Sequence, residues 1–276
     1  MELAKLCLLG LGAAALTATL QAQQLKSETE QAFDCYVQAA EARLDPRPAF
    51  LLADADAAMP SQLVRDRKVR TLEANGPNPH KLAGGQLYDW TGATFIPGAK
   101  LERLIAMLQD YDHRAAYFPE TISAAKLLCL TGSDHFRYSM RMKEPAILDV
   151  ESDVQWQHPE PNRWRCRSVS TRIVEVGKDH SYLRRLNSYW RFAETPQGVF
   201  VEAKTITLSD EFGSVTRLLG SALMGINPEK SLIHSLTSMR ESVLKPGLEI
   251  PKLPAGLRSC AETPAPGPCA AASGKH

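Results

Sequence analysis

Surplus charge of one sign is missing from this chain. Its 32 lysines and arginines face 31 aspartates and glutamates over 276 residues, a formal net charge of +1. Nucleic acid and anionic membrane surfaces are therefore not drawn to it by bulk electrostatics. The short motifs that announce a reaction are missing as well: there is no glycine-rich phosphate loop, GxSxG elbow, HExxH pair or calcium loop. The seven histidines, His80, His113, His135, His158, His180, His234 and His276, lack ligand spacing, and no two cysteines form a CxxC pair. No catalytic residue, metal site or cofactor is assigned.

Long apolar runs are also scarce. Leu6 to Leu16 follows Lys5 and leads through small residues to Ala22, the layout of a secretory signal peptide, and it is shorter than the ~20 residues that span a bilayer. Cleavage is expected near Ala22, giving a secreted or periplasmic protein with no stable membrane span; an uncleaved leader acting as a membrane anchor is the alternative. Cleavage removes Cys7 and leaves Cys35, Cys129, Cys166, Cys260 and Cys269, an odd number for an oxidising compartment. Cys129 and Cys166 lie in strand-like runs and are expected as buried thiols. Cys260 and Cys269 are expected to close a loop in the tail.

What is present is a hydrophobic content of 44%, enough for a packed core, in a readable order. Ser27–Leu44 carries Phe33, Val37, Ala40 and Leu44 on one helical face, and Gln62–Leu72, with its basic cluster, is helical or mixed. After the break Gly76-Pro77-Asn78-Pro79, Gln86–Ile96 reads as a strand. Leu101, Leu104, Ile105 and Leu108 then make a helical stripe, which bends at Tyr111-Asp112-His113 into a short turn through Tyr117-Phe118.

Four strand-length runs follow: Ile122–Leu130, Phe136–Met142, Ile147–Gln157 and Arg163–Val176. A hairpin joins Asn187–Glu194 to Val199–Ser209 through Thr195-Pro196-Gln197-Gly198, which fits a type I turn. The count is about seven strands. Phe212–Met224 reads as helical, and a last helix has Asn227 as cap, Pro228 in its first turn and the stripe Leu232, Leu236, Met239 and Val243. Beyond it the chain is rich in proline and alanine and is read as a mobile tail.

This order, with Phe95-Ile96-Pro97-Gly98-Ala99, Asp110-Tyr111-Asp112, Leu186-Asn187-Ser188-Tyr189-Trp190-Arg191-Phe192 and the helix after Asn227, resembles the START-like superfamily of polyketide cyclases and lipid-transfer domains over roughly Gln86–Val243. The resemblance implies an α+β helix-grip fold, a curved antiparallel sheet wrapped around a long C-terminal helix, with a hydrophobic cavity between them. It carries no residue roles across. The chain divides accordingly into a signal peptide (1–22), a helical extension (23–80), the helix-grip domain (81–245) and a disordered tail (246–276).

Polar side chains on the long strands are the candidate ligand contacts: Arg172, Tyr189, Arg191 and Glu202. Alternation puts Trp190 and Phe192 on one face and Tyr189 and Arg191 on the other. If the charged face is concave, the charges must pair and can hold a ligand's polar head; if convex, they form a cross-strand ladder. Asp112-His113 is a further candidate if the kinked helix faces the cavity. Three functions remain open: non-catalytic binding of a lipid-like or other hydrophobic small molecule, a cyclase- or hydrolase-type enzyme using Tyr189, Arg191 or Glu202, and an envelope interaction module.

Overall fold

The computed structural model describes residues 26–44, 49–56, 58–66, 68–73, 78–143, 146–210, 227–251 and 259–260. The expected signal peptide, the helix expected at Phe212–Met224 and most of the tail lie outside them. The elements are α1 (26–44), α2 (Leu52–Ala55), α3 (Met59–Asp66), β1 (Arg70–Glu73), β2 (His80–Leu82), β3 (Gly85–Pro97), α4 (Leu101–Gln109) and α5 (Arg114–Tyr117). The meander follows as β4 (Ile122–Thr131), β5 (His135–Met142), β6 (Leu148–Glu160), β7 (Arg163–Glu175), β8 (Leu183–Thr195) and β9 (Gly198–Ser209), and α6 (Pro228–Leu244) comes last.

All strand pairs are antiparallel, in the order β1-β3-β9-β8-β7-β6-β5-β4, with β2 also pairing to β3. The described residues thus hold nine strands where the sequence suggests about seven. The two additional strands, β1 and β2, are four and three residues long. Runs that short carry too little alternation to be read, and they exist because β3 offers them an edge. Gln62–Leu72 divides correspondingly between the end of α3 and β1.

The first and last elements close through β3, which pairs with β9 from Gln86 opposite Ser209 to Pro97 opposite Gly198. At the hairpin, Gly198 has φ of +149°, and a Cβ there would lie 2.2 Å from the carbonyl oxygen of Ile96, so only glycine lets β3 come alongside the turn. The last helix starts as its sequence dictates: Asn227 Oδ1 accepts from the Lys230 N–H at 3.1 Å, and Pro228 opens the helix. Leu232, Leu236, Met239 and Val243 are all buried.

Both faces of the sheet are covered. On the concave face, α4, α5 and α6 pack with Ile96, Phe136, Trp156, Phe192 and Val201 in the main core. On the convex face, Phe33 and Val37 of α1 meet Leu87, Ile206 and Leu208, while Leu51, Met59 and Leu63 meet Phe95 and Ala193. The N-terminal segment is therefore the second layer of the fold.

Two tethers hold the C-terminal end. Arg103 of α4 donates to the carbonyls of Val243 and Leu248 at 3.2 and 3.0 Å, and Leu248 and Ile250 pack against the main core. Cys260 is disulfide-bonded to Cys129 on the edge strand β4, which corrects both the expected Cys260–Cys269 loop and the expected Cys129 thiol. Sequence spacing suggests the nearer partner, but edge-strand geometry brings the distant one within reach. Cys35 is also disulfide-bonded, and Cys166 is a buried free thiol.

The helix seat depends on Gly92, where a Cβ would meet Leu236 Cδ1 at 2.7 Å and Leu232 at 3.1 Å. Gly92→Val is expected to cost about 1–3 kcal/mol through overpacking. A urea midpoint equal to that of the parent would show that α6 is not seated there. The Cys129–Cys260 bridge spans 131 residues, so Cys260→Ser is expected to cost about 4 kcal/mol by releasing the unfolded chain, read as a lower denaturation midpoint.

Candidate functional site

Between the concave face and α6 lies a cavity of about 220 Å³. Its apolar wall comes from side chains of alternate residues: Val154 and Trp156 on β6, Tyr138 and Met140 on β5, and Trp190 and Phe192 on β8, with Phe118 after α5. Trp190 and Phe192 stack with ring centroids 6.3 Å apart, and Phe192 stacks on Trp156 at 5.9 Å. The indole N–H groups have partners: Trp156 donates to Tyr111 Oη at 2.9 Å and Trp190 to Ser188 Oγ at 3.2 Å. Pinned this way, the rings present apolar faces to the cavity.

The other wall is hydroxylated. Thr205, Thr207 and Ser209 follow one another along the inner face of β9, and Ser231 and Ser235 of α6 complete this side. Ser209 Oγ is buried and without a hydrogen-bond partner among the described residues. Cys166 also lines the cavity, and burial pushes its thiol pKa up to about 12. It is therefore an uncharged, soft part of the wall at neutral pH.

Among the described residues, Arg114 is the arginine or lysine that lines this cavity. Arg114 opens α5, and its guanidinium carbon sits 4.8 Å from the ring centroids of both Tyr111 and Tyr138 and 5.8 Å from that of Phe118. Nη2 donates to the Leu108 carbonyl at 3.0 Å, whereas Nε is buried without a hydrogen-bond partner among the described residues. Tyr138 is buried, and among the described residues its hydroxyl meets only the Met140 sulfur, at 3.8 Å.

The structure places the sequence candidates on the opposite face. Tyr189 donates to Glu41 Oε1 of α1 at 2.7 Å, and Arg167 holds the same carboxylate oxygen at 2.7 Å. Burial first, then the Glu41 carboxylate, pushes the Tyr189 hydroxyl well above its ordinary pKa, so it stays neutral. Arg191 donates to the carbonyls of Leu44 and Phe50 at 2.6 and 2.9 Å. Glu202, directly across from Arg191 in register, accepts from the Leu52 N–H at 2.6 Å. These three hold the N-terminal layer to the convex face and do not line the cavity.

Arg172 is separate from them. The register of β6 and β7 shifts between Glu151 and Ser152, and Arg172 lies opposite Glu151, with which it forms an exposed pair at 3.3 Å. Asp112 and His113 do not reach the cavity either: Asp112 accepts from the Leu127 N–H at 2.8 Å, and His113 pairs with Asp110 at 2.8 Å. Asp110 also accepts from the Tyr117 hydroxyl. These contacts lock the kink between α4 and α5 to β4.

Arg114 and Tyr138 are cavity residues that sequence reasoning did not single out, and Cys166, expected as a buried thiol, is one that lines the cavity. Tyr138 and Cys166 sit in register with neighbours that alternation sends inward, so that signal existed. Arg114 had none, because it follows a helix bend whose direction only the packing sets.

No protein-family model and no curated protein matches the sequence. Solved structures similar to it include a STAR-related lipid transfer protein from Xanthomonas axonopodis, at 12% identity and a TM-score of 0.43, covering 60% of this chain and 97% of that one. A START superfamily protein from Mycobacterium smegmatis is similar at 10% identity and a TM-score of 0.39, over 57% of this chain and 96% of that one. The Zhui aromatase/cyclase from a Streptomyces species is similar at 11% identity and a TM-score of 0.43, over 57% and 93%. The chain's own topology, one opening strand, two helices, a six-stranded antiparallel meander that returns to that strand, and a long helix seated on the concave face, is the helix-grip fold.

Proposed function

We propose that this protein binds a hydrophobic small molecule, one aliphatic chain or a few fused rings, without transforming it. The observation that carries this reading is the aromatic cavity between sheet and α6, in which Trp156, Trp190, Phe192 and Tyr138 converge. Apolar walls with a few placed polar groups are the usual build of a small-molecule site, and about 220 Å³ lies below the roughly 300–1,000 Å³ of drug-sized pockets. That size favours a single-chain ligand over a two-chain lipid. The acid–base groups proposed from the sequence, Tyr189, Arg191 and Glu202, engage the N-terminal layer instead of the cavity.

We also propose that the chain is exported through its leader. The Cys129–Cys260 and Cys35 disulfides support this, since such bonds persist in oxidising compartments. No helix among the described residues is long and apolar enough to cross a membrane.

The neutral dye N-phenyl-1-naphthylamine tests the binding reading. It is expected to bind one per chain with energy transfer from Trp156 and Trp190, and to slow alkylation of Cys166 by iodoacetamide several-fold. With a thiol pKa of about 12, only about one Cys166 in ten thousand is thiolate at pH 8, so alkylation starts slow and rises about tenfold per pH unit. Ser168→Trp, which fills the cavity, is expected to abolish dye binding without changing the circular dichroism. Unchanged Cys166 alkylation at saturating dye would refute the cavity as the site. For export, N-terminal sequencing of protein recovered outside the cytoplasm is expected to begin near residue 23; an intact Met1 in that fraction would point to the uncleaved anchor.

A further inference from the structure

Resting on the binding reading above, we infer that the ligand carries one anionic group, a carboxylate or its equivalent, and that Arg114 and Tyr138 receive it. Arg114 is the cation on the cavity wall, and among the described residues no carboxylate pairs with it. Its nearest acids in the chain are committed elsewhere: Asp112 accepts from the Leu127 N–H, and Asp110 holds His113 and the Tyr117 hydroxyl.

Three aromatic rings fix the guanidinium in place, and the Leu108 carbonyl takes one of its amino groups. Both contacts orient the charge without neutralising it. Nε remains buried and, among the described residues, unpartnered, which is costly for a charged donor unless a ligand completes it. Tyr138 adds a second under-used donor: its ring lies against the same guanidinium, and its hydroxyl has only a methionine sulfur at 3.8 Å, too long and too soft to satisfy it.

The contrast with the convex face strengthens the point. There Arg167, Arg184 and Arg185 all meet carboxylates of α1, namely Glu41, Glu30 and Asp34, at 2.7 to 3.0 Å. This chain supplies partners for its half-buried arginines where it needs structure. At Arg114 it supplies aromatic faces and open space. An amphiphile with its anion on Arg114 and Tyr138 and its apolar body along Trp156, Phe192 and Trp190 would complete the set, and the hydroxyls of β9 and α6 would face the part of the ligand farther from the anion.

Displacement of N-phenyl-1-naphthylamine from the full-length protein by laurate, dodecanol and dodecyltrimethylammonium, all below their aggregation limits, tests the inference. Laurate is expected to compete at about ten- to a hundredfold lower concentration than dodecanol, the worth of a charge-assisted contact. Arg114→Gln is expected to erase that preference and leave dodecanol unchanged, while Arg114→Lys keeps part of it and Tyr138→Phe reduces it several-fold. Equal competition by laurate and dodecanol in the parent, or an undiminished preference in Arg114→Gln, overturns the anion site and leaves the cavity reading standing. Failure of the dye itself to bind overturns both. If Arg114→Gln does not fold, the parent's ranking of the three probes and the Arg114→Lys variant still decide.

Discussion

Everything in this molecule depends on the sheet having to be covered on both faces. A period of two along β8 and β9 sends Trp190, Phe192, Val201 and Ala203 to one side and Tyr189, Arg191, Phe200 and Glu202 to the other. Neither set tolerates bulk water alone: the first is apolar, and the second mixes buried charge with aromatic carbon. The chain resolves this by folding its C-terminal helix onto the concave face and its N-terminal helices onto the convex one.

The two faces are sealed by different physics. The concave layer is held by dispersion and apolar burial, with α6 brought close by the absence of a side chain at Gly92 and tied to β1 through the Thr71 hydroxyl bond to Glu229. The convex layer is held by hydrogen bonds and ion pairs. Main-chain groups at the end of α1 (Leu44), at Phe50 and at the start of α2 (Leu52) meet Arg191 and Glu202, and Asp89, almost fully buried, takes both the Tyr36 hydroxyl and the Lys204 ammonium. Burying charge is tolerable here because each charge meets a partner in a fixed position. The cavity is the part of the concave face that this packing leaves unfilled, and its walls are aromatic and hydroxylated, with Arg114 as a cation among them.

Legibility in the sequence followed the range of the interaction. Elements held by local rules were readable: the Asn227-Pro228 start of α6, its stripe Leu232 to Val243, the α4 stripe, and the turns that punctuate the meander all appear where their residues require them. Alternation also separated Trp190 and Phe192 correctly from Tyr189 and Arg191. It said nothing of which set faced inward, since a strand's two faces are equivalent until something packs on one. The short strands β1 and β2, the Cys129–Cys260 bond and the orientation of Arg114 were invisible for the same reason: each exists through a partner far away in the chain.

By itself the sequence determined the α+β class, the helix-grip order and the residues that share each strand face, because periodicity, caps and turns act over a few residues. Only the tertiary structure decided which face became a cavity and which became a seat for the N-terminal layer. It thereby moved the functional weight from Tyr189, Arg191 and Glu202 to Trp156, Trp190, Tyr138 and Arg114. Curvature of the sheet and the placement of distant helices make that choice, and both are properties of the whole chain's packing rather than of any segment's composition.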